Sequence, residues 1–220
     1  MPATTKGTRL KAGQSVRRYE DERLIRGKGR FVDNMNIAGQ AYLHFLRSFH
    51  GHARILSIDT AAAKAMPGVL GIFTGQDLLR DGVQPIPTAM PFTRPDGEPA
   101  SSAPHYPLAT DAARYMGQAV AAVVATTPAQ AVEAAECIAV EYEELPALIS
   151  LKDAAAPDAP RLWEGMPDNI AAAKTLGDAE VVEQAFAQAA RVTRLELVNP
   201  RLVGNPIEPR TSLCDYDPES

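Results

Sequence analysis

The chain has 220 residues, 45% hydrophobic and 22% charged, enough for one good core or for one domain plus the beginning of another. Its formal net charge of −5 gives no electrostatic reason to expect nucleic acid or an anionic membrane as partner. No run approaches the roughly 18 apolar residues of a membrane helix, the first ten residues are polar where a signal peptide would be apolar, and Cys137 and Cys214 are too few for a disulfide framework or an iron–sulfur site. A cytoplasmic location is therefore expected, with any redox centre on a partner or on further chain.

Residues 1–29 carry charge and glycine without helical or strand periodicity and read as an extended arm. Ala41-Tyr-Leu-His-Phe-Leu-Arg47 and Arg54-Ile-Leu-Ser-Ile58 predict two short strands. Asp59 is placed to cap an alanine-rich helix over 60–66, which Pro67-Gly68 stops before an apolar strand at 69–73. Residues 81–110 hold seven prolines and no sustained apolar period, so they are expected to form a long loop, either an interface element or a mobile flap.

The uninterrupted run Ala119-Val-Ala-Ala-Val-Val-Ala125 predicts a strand buried on both faces. Thr127-Pro-Ala-Gln130 then opens a helix with three agreeing signals: a cap hydroxyl, proline at the first turn, and glutamine three residues after the cap. The helix is expected to reach about residue 138, with Cys137 in the core. Val140-Glu-Tyr-Glu-Glu-Leu145 alternates with a period of two up to Pro146 and predicts the return strand. Residues 149–177 read as a linker packed on the surface and anchored by Trp163, the lone tryptophan. Asp178 caps an amphipathic helix in which Val181, Val182, Ala185, Phe186 and Ala189 share a face, and strands are expected at 191–198 and 211–216. With no return elements to cover them, residues 178–220 read as the start of a second domain that further chain or another subunit completes.

Candidate chemistry is sparse. His50-Gly-His52 could offer two metal positions from one strand face, but no third ligand stands at a fixed spacing and the segment reads as a turn. His44 reads as a satisfied core or edge histidine, and His105 sits in the proline loop. Gly27-Lys-Gly29 could present backbone N–H groups to a phosphate, yet it lacks the Walker spacing and reads as a turn. Glu141, Glu143 and Glu144 with Asp111 could supply an acid–base pair, although Glu141 and Glu143 fall opposite Tyr142 on what reads as a solvated face. There is no Gly-x-Ser-x-Gly elbow.

Several stretches, taken in order, resemble the large subunits of molybdenum hydroxylases, the family of xanthine dehydrogenase, aldehyde oxidase and aerobic carbon monoxide dehydrogenase. They are Arg18-Tyr-Glu-Asp-Glu-Arg-Leu-Ile-Arg-Gly-Lys-Gly-Arg-Phe-Val-Asp33, Arg47-Ser-Phe-His-Gly-His-Ala-Arg-Ile55, Ser57-Ile-Asp-Thr60, Met66-Pro-Gly-Val69, Phe73-Thr-Gly-Gln-Asp-Leu78, Arg114-Tyr-Met-Gly-Gln-Ala-Val-Ala-Ala-Val-Val124, Val140-Glu-Tyr-Glu-Glu-Leu-Pro146 and Ile207-Glu-Pro-Arg210. Each is weak alone; order and spacing together are specific.

The resemblance implies an α+β fold: an arm over 1–24, an a/b hammerhead domain over 25–148, a linker over 149–177, and at 178–220 the opening of a molybdopterin-binding domain. It implies molybdopterin, in its cytosine dinucleotide form, with molybdenum in the complete enzyme, FAD and [2Fe–2S] clusters on partner subunits, and oxidative hydroxylation of aldehydes, purines or N-heterocycles with water as the oxygen source. The family's large subunits are several times longer. Their glycine-rich pterin-contacting segments and C-terminal general-base glutamate have no counterpart here, so no catalytic, cofactor-binding or metal-binding residue carries over. Glu208 lies where the family's chain approaches the substrate channel and reads as structural. Alone, the chain is expected to be inactive; the alternative is a stand-alone hammerhead module for interaction or assembly.

Overall fold

The small apolar run at 119–125 becomes the strand around which one sheet is built, because only such a sequence can be covered on both faces. The computed structural model describes residues 13, 15, 18–87, 92–94, 96–100, 102–199, 202–206 and 210–217. The chain divides into two units, Gly39–Arg194 and a second made of Met1–Ala38 with Leu195–Ser220.

In the larger unit, β1 (Tyr42–Arg47), β5 (Ala119–Ala125) and β3 (Val69–Thr74) form an antiparallel sheet with β5 in the centre. A second sheet has the order β4 (Ala112–Ala113), β2 (Ala53–Asp59), β6 (Ala139–Glu144), also antiparallel. Helix α4 (Pro128–Glu136) packs on the first sheet. Its Ala131, Ala134 and Ala135 are buried, and Ala134 and Ala135 join Ile72, Ala121, Val123 and Ile138 in the main core. Small residues on the helix let it approach the sheet closely. Leu108, Ala119 and Ala122 form a second, smaller core with Phe45 and Leu78.

The local signals for α4 act as read: Thr127 accepts from the Gln130 N–H at 3.3 Å, and proline occupies the first turn. The expectation for Cys137 does not hold, however. Residues 131, 134, 135 and 138 face the core at helical spacing, which turns Val132 and Cys137 outward, so Cys137 is exposed rather than core. The cap position of α2 (Ala61–Lys64) falls on Thr60, which makes no side-chain cap bond, and not on the expected Asp59, which lies one residue earlier and accepts from the Ala61 N–H at 2.9 Å.

Helix α3 (Gly75–Arg80) was not anticipated, although Thr74 and Asp77 form a capping box that the sequence carries openly. Gly75 is there for space: a Cβ would overlap the carbonyl oxygen of Ala109. Short helix α5 (Leu151–Ala154) is capped by Ser150, and α6 (Ala179–Gln188) by Asp178, whose carboxylate accepts from Glu180 and Val181. Helix α6 buries no residue; Val181, Val182 and Phe186 stay exposed.

In the smaller unit the expected extended arm contains helix α1 (Asp21–Ile25). Gly27, at φ +66°, closes it: the Gly27 N–H donates to Leu24 and the Lys28 N–H to Arg23. A turn of 3-10 helix follows at Val32–Asn34. The strands expected at 191–198 and 211–216 do not form; neither segment has a ladder partner among the described residues, and alternation alone cannot make a strand.

Candidate functional site

The expected chemistry divides among three places in the larger unit. At the turn between β1 and β2, the fully buried Ser48 accepts from the His50 N–H at 3.1 Å. His50 Nδ1 lies 3.3 Å from a Glu144 carboxylate oxygen, and its ring leans on Tyr142 with centroids 4.7 Å apart. His52 Nδ1 donates to the Pro146 carbonyl at 3.0 Å, and the Leu145 N–H returns a bond to the His52 carbonyl. Both imidazoles thus latch the turn onto the end of β6, each on a different atom, as the turn reading expects. Burial pushes the Tyr142 phenol up, opposed by its bond with Ser48. His44 sits half-buried on edge strand β1, and His105 is exposed, its carbonyl accepting from Ile86.

The acidic residues do not meet as an acid–base pair. Glu143 pairs with Arg54, and Glu141 accepts from the Ser57 hydroxyl at 3.2 Å, both on the exposed face of the second sheet. Asp111 lies elsewhere, in a fork with Arg114: Nη1 to Oδ1 2.9 Å and Nη2 to Oδ2 2.7 Å. That guanidinium also donates through Nε to the Leu162 carbonyl at 2.8 Å and stacks 3.6 Å above the Trp163 ring. The Arg114 side chain is only 11% exposed. Its bond holds the Asp111 carboxyl below the usual range against the opposing effect of burial.

Arg94 does the same service in the proline loop. Its side chain, 6% exposed, donates to Asp168 at 2.6 Å and to the Ile170 carbonyl at 2.5 Å, and the Asp168 carboxyl is held low by that bond first of all. Thr93 bridges to both Pro99 and Ala173. Among the described residues, the loop is therefore tied at Thr93 and Arg94 to residues 168–173. Sequence reasoning missed both arginines. The spacing of Asp111 and Arg114 was readable as a short-range pair, but Trp163 and Asp168 stand too far along the chain for any local pattern to name them.

This arrangement holds segments together. The carboxylates at Asp111 and Asp168 are ionised and engaged by arginines, and among the described residues no group of three His, Cys, Asp or Glu side chains could hold a metal ion. The turn at Gly27 and Gly29 does not present a phosphate cradle either, since the Gly27 and Lys28 N–H groups close α1. The described residues do not fit the pterin–molybdenum group that the resemblance implies, and no chemical step is derived through it. Glu208 lies outside the described residues. No helix among the described residues is long and apolar enough to cross a membrane.

Residues 26–146 match the family model of the aldehyde oxidase and xanthine dehydrogenase a/b hammerhead domain. The carbon monoxide dehydrogenase large chain of Afipia carboxidovorans is 34% identical over 217 residues, covering 93% of this chain and 26% of that one. The gamma subunit of the 6-hydroxypseudooxynicotine dehydrogenase complex of Paenarthrobacter nicotinovorans is 35% identical over 215 residues, covering 94% of this chain and 25% of that one. A crystal structure of Cu,Mo-CO dehydrogenase superposes with a TM-score of 0.66 at 34% identity, covering 81% of this chain and 23% of that one. The chain thus spans about a quarter of the length of the relatives it matches. With the domain model matching more than half of its residues and a mixed helix-and-strand fold shared with a solved relative, this chain belongs to the aldehyde oxidase and xanthine dehydrogenase family and carries its a/b hammerhead domain.

Proposed function

We propose that this chain serves as the N-terminal part of the large subunit of a molybdenum hydroxylase, an oxidoreductase that hydroxylates aldehydes, purines or N-heterocycles with water as the oxygen source. The observation that carries the reading is the match along 93% of the chain to a large chain of which it spans 26%. In this reading residues 25–148 are the hammerhead, 149–177 a connecting segment, and 178–220 the opening of the molybdopterin-binding domain, with Glu208 a structural residue beside the substrate channel. The cofactor is molybdopterin with molybdenum, in the cytosine dinucleotide form. FAD and [2Fe–2S] clusters reside on partner subunits, and the complex works in the cytoplasm without nucleic acid or membrane.

The role assigned to the chain's own residues is positional. Arg94 ties the proline loop to Asp168 and Ile170, and Arg114 ties Leu162 and Trp163 to the chain at β4, giving the remainder of a large subunit a surface to build on. Alone, the chain turns over no substrate. Expressing it by itself and measuring molybdenum content and dye-linked oxidation of aldehydes and purines tests this directly: neither metal nor turnover is expected. Stoichiometric molybdenum or measurable turnover would overturn the claim that the chain is inactive alone. Adding back the remainder of a large subunit should restore both if the chain is part of an enzyme, and neither if it is a stand-alone module.

A further inference from the structure

Residues 160–173 are held in place without a share in either core. No residue from 149 to 177 is buried, and none belongs to the main or the smaller core. Where the segment passes the second sheet it borders open space. A trough of about 600 Å³ is lined by Pro160, Arg161 and Leu162 together with His52, Arg54 and Ile55. Another of about 260 Å³ lies among Trp163, Met166 and Tyr106.

The fastenings are polar and interlocked. Inside the segment Asn169 is the hub: its Nδ2 donates to the Ala154 carbonyl at 3.2 Å and to the Pro160 carbonyl at 3.0 Å, and its Oδ1 accepts from the Leu162 N–H at 3.0 Å. The neighbouring Asp168 accepts from the Ile170 N–H at 2.8 Å and from Arg94 at 2.6 Å. Ties to other segments stand at both ends. Arg114, itself bonded to Asp111 and to the Ala112 carbonyl, meets the Leu162 carbonyl and the Trp163 ring at one end. At the other the Ala173 N–H donates to the Thr93 carbonyl at 2.8 Å. Each tie positions a group that another one uses: Asn169 aligns Leu162 for Arg114 and adjoins the carboxylate that Arg94 engages. Losing one therefore weakens the next, which is the condition for a segment to open all at once. Segments with little buried apolar surface also open at lower free energy than a core.

We propose that residues 160–173 are a detachable strap with Asn169 as its keystone: they transiently leave and rejoin the larger unit in a single cooperative step while both sheets and α4 stay folded. Each departure opens the two troughs to solvent and frees the Arg114 guanidinium from Leu162 and Trp163.

Amide hydrogen exchange of the full chain, followed by nuclear magnetic resonance, reads strap and core together. The N–H groups of Met166, Ile170 and Ala173 bond to Trp163, Asp168 and Thr93. They should share one opening equilibrium, at least about a hundredfold more favourable than that of Val123 in central strand β5 and less steeply dependent on low urea. Asn169→Ala and Arg114→Lys, each checked for retained sheets by circular dichroism, disturb the strap at different points. Each should raise the opening of all three amides by one common factor, roughly ten- to a hundredfold for the first and about three- to tenfold for the second. In the native chain alone, three unrelated opening equilibria, or three that keep step with Val123 in size and urea response, overturn the proposal. So does a variant that speeds Met166 and leaves Ala173 unchanged, because the segment would then fray piecemeal.

Discussion

Arg114 concentrates more of this structure's long-range order than any residue the sequence singled out. One guanidinium satisfies a carboxylate in a two-bond fork, a backbone carbonyl 48 residues away and the face of the only tryptophan. The planar fork makes this possible; a lysine ammonium could serve one of these partners at a time. The pH dependence follows from the two carboxylates involved. Asp111 and Asp168 are both held below their unfolded values, chiefly by bonds from Arg114 and Arg94. Their contribution to stability is therefore fully present above the ordinary carboxylate value of about 3.9 and is lost as pH falls through their lower folded values. Melting temperature measured from pH 7 down to pH 2 should fall steeply at the acid end for the native chain. Asp111→Asn should start lower at neutral pH and decline less steeply; a parallel decline would show that the Arg114 fork does not carry the effect.

At the scale of the elements, the caps were the most readable feature and close approaches the least. Thr127 and Asp178 cap helices as their positions suggest, and the Thr74–Asp77 box was available to the same reasoning. Gly75 was not, because the need for a missing Cβ arises from Ala109, which belongs to a different segment. Gly75→Ala should cost about 3 kcal/mol or more through that overlap. Gly82, at φ +73° in open space, should cost only about 1 kcal/mol when changed to alanine, the strain of a left-handed turn. Urea denaturation of the two variants side by side checks the contrast, and equal losses would mean that the chain near Ala109 yields easily.

Across the whole molecule the apolar residues separate into those that hold the larger unit together and those that cover nothing. Ile72 sits in the main core against α4, whereas Phe186 on α6 is 59% exposed. Truncating Ile72 to alanine should cost about 2–5 kcal/mol, while Phe186→Ser should stay within roughly 0.5 kcal/mol. Trp163 fluorescence through a urea titration reads both. A large loss at Phe186 would mean that α6 is packed in solution. Leu195, Leu197, Leu202 and Val203 in the smaller unit are likewise exposed.

The sequence by itself determined the elements whose signals are local: the doubly buried strand at 119–125, the capped helix that follows, the alternating strand at 140–145, and the family, through short motifs in a fixed order. It also identified the histidine turn and the solvated glutamates for what they are. Tertiary structure alone decided which sheet each strand joins, which way Cys137 faces, that Thr93 and Arg94 of the proline loop are tied to residues 168–173, and that residues 191–198 and 211–216 form no strand. The reason is physical. Periodicity and caps are set by neighbours a few residues away, whereas strand pairing and a guanidinium's partners depend on segments brought together over tens of residues, and no local pattern records which of them will meet.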